Sequence, residues 1–400
     1  MRDWAASGVL TLTGRADGPP LVPPGQAATV AGELTRRIAA ATGGRVAVDG
    51  AQLLSERAAF TGQQRRGPVS PGGSCRLLPT ADGWAAVSCA RPDDPMLLGA
   101  LVGARLPDDP WPSVADWLRV RSGAELAERA ELLGLASAPV RPTMPQVFPD
   151  LPPRPVEGLL VVDFSALWAG PLCAHLLGLA GARVVKVETP GRPDGARRGN
   201  PGFYRLLHAG HRSVVLDPAV PADRAALAIL VDAADIVIEA SRPRALAGFG
   251  LDAHAAVARG STWISITAAG RASQRVGFGD DVAAAAGLLA FDADGAVFCG
   301  DAIADPLTGL TAAAFALTAP ADGSGMLWDI AMAGVVAATL DPGPAGPAAA
   351  ARRDGSCWVL DMPGGPFPVV RPRRRAVTGT APPSGADTAR VLAEIAGPAS

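Results

Sequence analysis

Short apolar runs alternate with helix-length patterns through the middle of the chain, and this alternation predicts its architecture. GLLVVDF (158–164), RVVKVE (183–188), RSVVLD (212–217), DIVIEA (235–240) and TWISIT (262–267) are brief and rich in Val, Ile and Leu. Such runs suit strands buried on both faces. AGPLCAHLLGLAG (169–181) reads as a helix, with Pro171 near its start and Gly181 just past its end. A second helix is expected over roughly Ala222 to Val231. Strand–helix alternation of this kind predicts an α/β fold: a doubly wound, mostly parallel sheet of the Rossmann-like type, with helices on both faces. Ligands of such sheets bind outside the carboxyl ends of the strands.

Two proline-rich stretches interrupt the pattern, Ala138–Gly158 (APVRPTMPQVFPDLPPRPVEG) and Asp341–Gly355 (DPGPAGPAAAARRDG). Proline at this density sustains neither helix nor inner strand, so both are expected to be connectors. They divide the chain into 1–140, 157–340 and a tail from 356. An internal echo adds to this. AASGVLTLTGRADGPP, from Ala5, resembles AAAGLLAFDADGAVFCG, from Ala284. ATGGRVAVDGAQLL, near Ala41, resembles ADGSGMLWDIAMAG, near Ala321. An offset that stays close to about 280 residues indicates one duplicated unit rather than a solenoid array. In this register Ala28 stands opposite Asp305, so a live chemical copy would be the later one.

The chain has 400 residues and is 48% hydrophobic, enough for sizeable cores. A net charge of −2 leaves no electrostatic footprint for nucleic acid. The most apolar stretch, Ala225 to Ile238, is broken by Asp232 and Asp235, so no membrane span is expected. The start, MRDWAASG, lacks the layout of a signal peptide. Five scattered cysteines favour neither a disulfide framework nor a zinc site, and the cytoplasm is the expected compartment. Lys186 is the one lysine among 36 Lys and Arg residues. His208 and His211 lie close together, but no third ligand supports a metal, so packing or surface roles are expected.

VVDFSALWAGPLCAHLLGLAGARVVKVETPG (161–191) resembles the opening signature of family III CoA-transferases, the group of formyl-CoA and carnitine CoA-transferases and alpha-methylacyl-CoA racemases. HRSVVLD (211–217), ADIVIEASRPRALAGFGL (234–251), ISITAAG (264–270), RVGFGDDVAAAAGLL (275–289) and GDAIADPLTGLTAAAFAL (300–317) follow in the family's order. CRLLPTADGWAAVSC (75–89) and AELAERAELLGLASAPV (124–140) resemble the start and end of the family's small α+β domain. The resemblance therefore implies a rearranged order. A partial, degenerate copy of the large-domain segment around the active-site helix occupies 1–60, and the small domain 70–140. A proline-rich linker follows at 141–156, then the large domain at 157–340, and a tail at 356–400 returns to it. The family forms dimers of interlocked rings. Here no small domain lies between 340 and 356, so either a homodimer or an intrachain pseudo-dimer is expected to complete the site.

Asp305 precedes Pro306 and an apolar stretch running to about Leu317, which alone predicts a helix N-cap. The resemblance places the family's catalytic aspartate at the same residue. The two roles coexist, because a helix N-terminus favours the ionised carboxylate that a nucleophile needs. The implied reaction moves CoA from an acyl-CoA to a carboxylic acid through an aspartyl-CoA intermediate, with no permanently bound cofactor and no metal. Ala169 and Gly170 are expected to offer backbone amides to the oxyanion, and Trp168, Arg242 and Phe278 to contact CoA. The residues also depart from the family. Ala240 and Ser241 replace the usual Asn and aromatic, and Gly248 replaces a basic residue. A non-catalytic homologue is therefore the alternative. Racemase chemistry is a third reading, set back because Phe278 stands where that branch carries its histidine and transfers no proton. Asp280 and Asp281 are expected to cap a helix beginning near Val282.

Overall fold

The five expected strands form and a sixth joins them. β1 (Leu160–Asp163), β2 (Arg183–Glu188), β3 (Arg212–Val215), β4 (Ile236–Glu239), β5 (Thr262–Thr267) and β6 (Met326–Ala331) make one parallel sheet. Their order is β3-β2-β1-β4-β5-β6. The computed structural model describes residues 1–241, 243–343 and 346–395. The sheet is the α/β doubly wound arrangement, accompanied by smaller antiparallel sheets. Strand order reverses between β1 and β4, so a crevice opens beyond the carboxyl ends of these two strands.

Four helices matter for that crevice: α1 (Ala27–Ala41), α2 (Ala169–Leu179), α3 (Gly279–Ala285) and α4 (Ala304–Ala316). α2 and α4 are apolar on nearly every side and correspondingly buried. They share one core with α1, through Leu172, Leu176, Leu307, Leu310 and Ile38. In the register of the internal echo α1 answers to α4, and the two pack together, with the Arg37 guanidinium 5.1 Å from the Phe315 ring centroid. The helix expected near Ala222–Val231 spans Pro221–Asp232 and packs on the opposite face of the sheet with Trp263 and Val391.

Residues 75–139 build a second unit. An antiparallel sheet of Cys75–Thr80, Gly83–Ser88 and Ser137–Pro139 carries three helices, Asp94–Val102, Trp111–Arg119 and Gly123–Leu133. Its other face, with Leu77 and Ala86, packs on Ala284, Leu289 and Phe298.

Neither proline-rich stretch is a free connector. In the first, Gln146 accepts from the Ala331 amide at 2.9 Å, and the Phe148 ring lies 4.4 Å from that of Phe315. In the second, Arg352–Asp354 is a strand paired with Cys357–Met362, against the expectation. Its prolines end at Pro347, so the residues that follow are free to pair. Pro344 and Ala345 lie outside the described residues. The tail then covers the edge of β3: the Ser213 amide donates to Asp387 at 2.9 Å, and Gly385 donates to the Ser213 hydroxyl at 3.0 Å.

The crossing of α4 over α2 has no slack. A Cβ on Gly309 would lie 2.6 Å from the Ala169 carbonyl oxygen and 3.0 Å from Leu172 Cβ. Gly309→Val is therefore expected to lower stability by about 1–3 kcal/mol. Urea unfolding of the two proteins measures the difference.

Candidate active site

A cavity of about 280 Å³ opens at the switch point. Ala166, Leu167 and Ala169 line it from the turn after β1, Ala240 and Ser241 from the end of β4, and Ile266, Thr267 and Ala268 from the end of β5. Gly277, Phe278 and Asp305 close it from the N-terminal ends of α3 and α4. Arg91, Arg192 and Arg275 add positive charge to its wall.

Asp305 is half-buried in this cavity. It is not the N-cap that the sequence suggested. Ile303 already has helical φ and ψ and α4 begins at Ala304, so Asp305 sits one residue inside the helix, its amide donating to the Ala302 carbonyl at 2.9 Å. Pro306 is tolerated because first-turn amides have no intrahelical partner to lose. Gly279 presses on the Asp305 carboxylate so closely that a Cβ there would collide with it. The Gly279 backbone amide favours the charged form of that carboxylate.

The ionisation of Asp305 also differs from the expectation of a fully charged group. Burial pushes its pKa up to about 7. Arg57 pulls it down, Asp280 and Asp301 push it up, and the Gly279 amide lowers it. Asp280 is raised to about 6, first by burial and then by Asp301. Asp281 is raised to about 7 by burial, against the pull of Arg275. The helix end is thus outweighed by desolvation and by neighbouring carboxylates.

Among the described residues, two non-glycine residues have positive φ, Leu167 at 69° and Ala302 at 47°. One lines the cavity and the other lies two residues before α4. Strain of this kind persists only where surrounding contacts enforce it. The Leu167 amide donates to Asp194 at 3.0 Å, and Asp194 is held by Lys186 Nζ at 3.0 Å. Lys186 also contacts Asp163 at 3.7 Å and donates to the Ser165 carbonyl. Burial disfavours its charge, yet Asp163 and Asp194 outweigh burial and hold its pKa above the ordinary value. On the other side, the Ala302 amide donates to Asp280 at 2.7 Å. Asp301 takes a fork from Arg57, Nε to Oδ2 at 2.8 Å and Nη2 to Oδ1 at 2.5 Å.

Of the other expected site residues, Ala169 and Phe278 line the cavity. Gly170 packs under Ser165 and Ile238 instead. Trp168 is 1% exposed and is not on the cavity wall. Its ring lies beneath the Arg57 guanidinium, 5.1 Å away, and edge-on to Phe203, so it holds a protein cation where a ligand was expected. Arg242 lies outside the described residues. Asp280 and Asp281 start no helix at Val282, because α3 begins at Gly279; Asp281 accepts from the Phe278 amide at 2.8 Å. His208 and His211 are buried with their rings edge to face, and burial lowers the pKa of His211 to about 3. Among the described residues no group of three or more His, Cys, Asp or Glu is arranged to hold a metal ion, and no helix is long and apolar enough to cross a membrane.

Comparison with known proteins identifies a family. The sequence model described as CoA-transferase family III matches residues 156–356, half of the chain. Succinyl-CoA--D-citramalate CoA-transferase of Chloroflexus aurantiacus is 36% identical over 107 residues, 25% of this chain and 27% of that protein. Succinate--glutarate CoA-transferase of Agrobacterium fabrum is 35% identical over 118 residues, 26% of this chain and 30% of that protein. The chain thus spans about a quarter to a third of the length of these curated relatives. A solved CaiB/BaiF family protein of Brucella suis superposes with a TM-score of 0.46 at 24% identity, over 54% of this chain and 65% of that one.

Two outcomes follow from the charges. Lys186→Met leaves Asp163 and Asp194 buried without their cation, and is expected to destabilise by about 3–5 kcal/mol, measured by urea unfolding. Asp305 has a raised folded pKa. Its contribution to stability is whole below the ordinary carboxylate pKa and is lost as pH rises through about 7. Asp305→Asn is therefore expected to stabilise the fold, with little effect near pH 4 and about 1–2 kcal/mol at pH 8, a gain discounted for the solvent that reaches the group. Thermal unfolding across that pH range reads the difference.

Proposed function

The chain belongs to CoA-transferase family III, and on that premise we propose that it moves CoA from an acyl-CoA thioester to a carboxylic acid, with Asp305 as the nucleophile. One observation carries the reading: Asp305 lies in the switch-point cavity at the start of α4, where burial lifts its pKa to about 7. At neutral pH a substantial fraction is ionised, and a carboxylate of raised basicity is the better nucleophile.

In this reading the Asp305 carboxylate attacks the thioester carbonyl and expels CoA thiolate, leaving a mixed anhydride. The thiolate attacks the aspartyl carbonyl and releases the donor acid, which leaves an aspartyl-CoA thioester. The acceptor carboxylate attacks that thioester and again expels thiolate. The thiolate then attacks the acceptor's acyl carbon and frees Asp305. Each step conserves charge and needs no oxidant. The tetrahedral intermediates require donors at the developing oxyanion. α2 has no side-chain cap, so the Ala169 and Gly170 amides at its start are candidates, with Ala169 on the cavity wall. Arg91, Arg192 and Arg275 offer charge to phosphate or carboxylate groups. A second cavity of about 470 Å³ lies beyond β4, where Arg244 and Arg271 stand beside Glu239 and Asp252.

A second reading, a CoA-binding homologue without turnover, rests on Ala240 and Ser241, small residues on the cavity wall where the family commonly has an Asn and an aromatic. Incubation with a panel of acyl-CoAs followed by peptide mass spectrometry separates the two. The transferase reading expects CoA attached at Asp305 and loss of adduct and turnover in Asp305→Ala. Calorimetric binding of CoA with no adduct across the panel would leave only the second.

A further inference from the structure

Arg57 is the group that reaches both strained turns of the site. It lies behind the cavity wall on the short helix Glu56–Thr61 in the N-terminal segment, far in sequence from both turns. Its fork holds Asp301, the residue immediately before strained Ala302. Its guanidinium plane covers Trp168, the residue immediately after strained Leu167. Asp301 is fully buried, and with its nitrogen turned toward that carboxylate the Gln63 amide donates to both oxygens, at 2.7 and 2.8 Å.

The helix carrying Arg57 is itself anchored. Its neighbour Glu56 is buried and takes Arg375 Nε at 2.8 Å and Nη2 at 2.7 Å from the tail. Phe60 meets the Phe203 ring at 5.7 Å, and its carbonyl accepts from Asn200 at 2.9 Å. A guanidinium fixed in this way has little freedom left to lose in forming its fork.

We propose that Arg57 is a positioning residue for Asp305, supplied in cis by the N-terminal segment, which sets both the geometry of the turn before α4 and the charge around the nucleophile. The proposal rests on the assignment of Asp305 above for its kinetic consequence. Its structural and ionisation consequences stand without that assignment. The charged groups facing Asp305 are Arg57 from the N-terminal segment, Asp280 from α3 and Asp301 from the turn, with Arg91, Arg192 and Arg275 elsewhere on the cavity wall. Removing Arg57 leaves three carboxyl groups with no neighbouring cation among them. Lysine in its place restores the charge but not the fork.

The test is a carboxyl-carbon NMR titration of the full chain labelled at aspartate, with the Asp305 signal assigned by its loss in Asp305→Asn. In Arg57→Met the Asp305 midpoint is expected to rise by on the order of one unit, and in Arg57→Lys to return most of the way. Asp301→Asn, which removes an anion and frees Arg57, is expected to move it down, and serves if Arg57→Met does not fold. Where the transferase assay gives turnover, Arg57→Met lowers kcat about tenfold at neutral pH, recovers in part at higher pH, and changes KM less. An Asp305 midpoint unmoved in folded Arg57→Met, or in Asp301→Asn, overturns the proposal even if stability falls. Failure of wild-type protein to form any CoA adduct bears on the transferase assignment alone, because the titration needs no substrate.

Discussion

Three carboxyl groups, those of Asp280, Asp301 and Asp305, share one corner of the protein, and a single guanidinium stands among them. Carboxylates this close cannot all ionise freely in a medium that screens poorly. The corner resolves the conflict by division of labour. Asp301 takes the fork from Arg57, Asp280 accepts from the Ala302 amide, and burial pushes the Asp305 pKa up to about 7. The arrangement costs stability and leaves an acid of raised pKa at the cavity.

The scaffold that brings these groups together was largely legible in the residues. The strand runs and the intervening helices are local patterns, and burial on both faces of a parallel sheet writes itself as unbroken Val and Ile. β2 and β5 match their expected bounds to the residue. β6 escaped notice because MLWDIA runs straight into MAGVVA, so strand and helix periods merge without a turn residue between them. Asp305 was legible through its ordered blocks, but its place inside the helix was not. That depends on Ile303 taking helical angles, which no residue type signals.

What could not be read was whatever depends on distant partners. SERAAF around Arg57 looks like any amphipathic surface turn. Its partner Asp301 lies 244 residues away, and pairing at that distance leaves no periodic trace. Trp168, expected from the resemblance to contact CoA, is buried instead and meets Arg57. The one hint in the residues is that Asp280, Asp301 and Asp305 fall in two successive blocks, 275–289 and 300–317, with no Lys or Arg after Arg275 within them.

Lys186 carries a different consequence. It is the sole lysine of this sequence and only 2% of its side chain meets solvent. The folded surface therefore presents arginine alone as its long cationic side chain. Acylating reagents, ubiquitin-type conjugation and amine-coupled immobilisation find no ε-amino group to attack. Guanidinium groups, which do not surrender their proton near neutrality, are poor substitutes. The buried amine becomes nucleophilic only when the sheet around β2 parts, so its modification reports the opening of that sheet and nothing gentler.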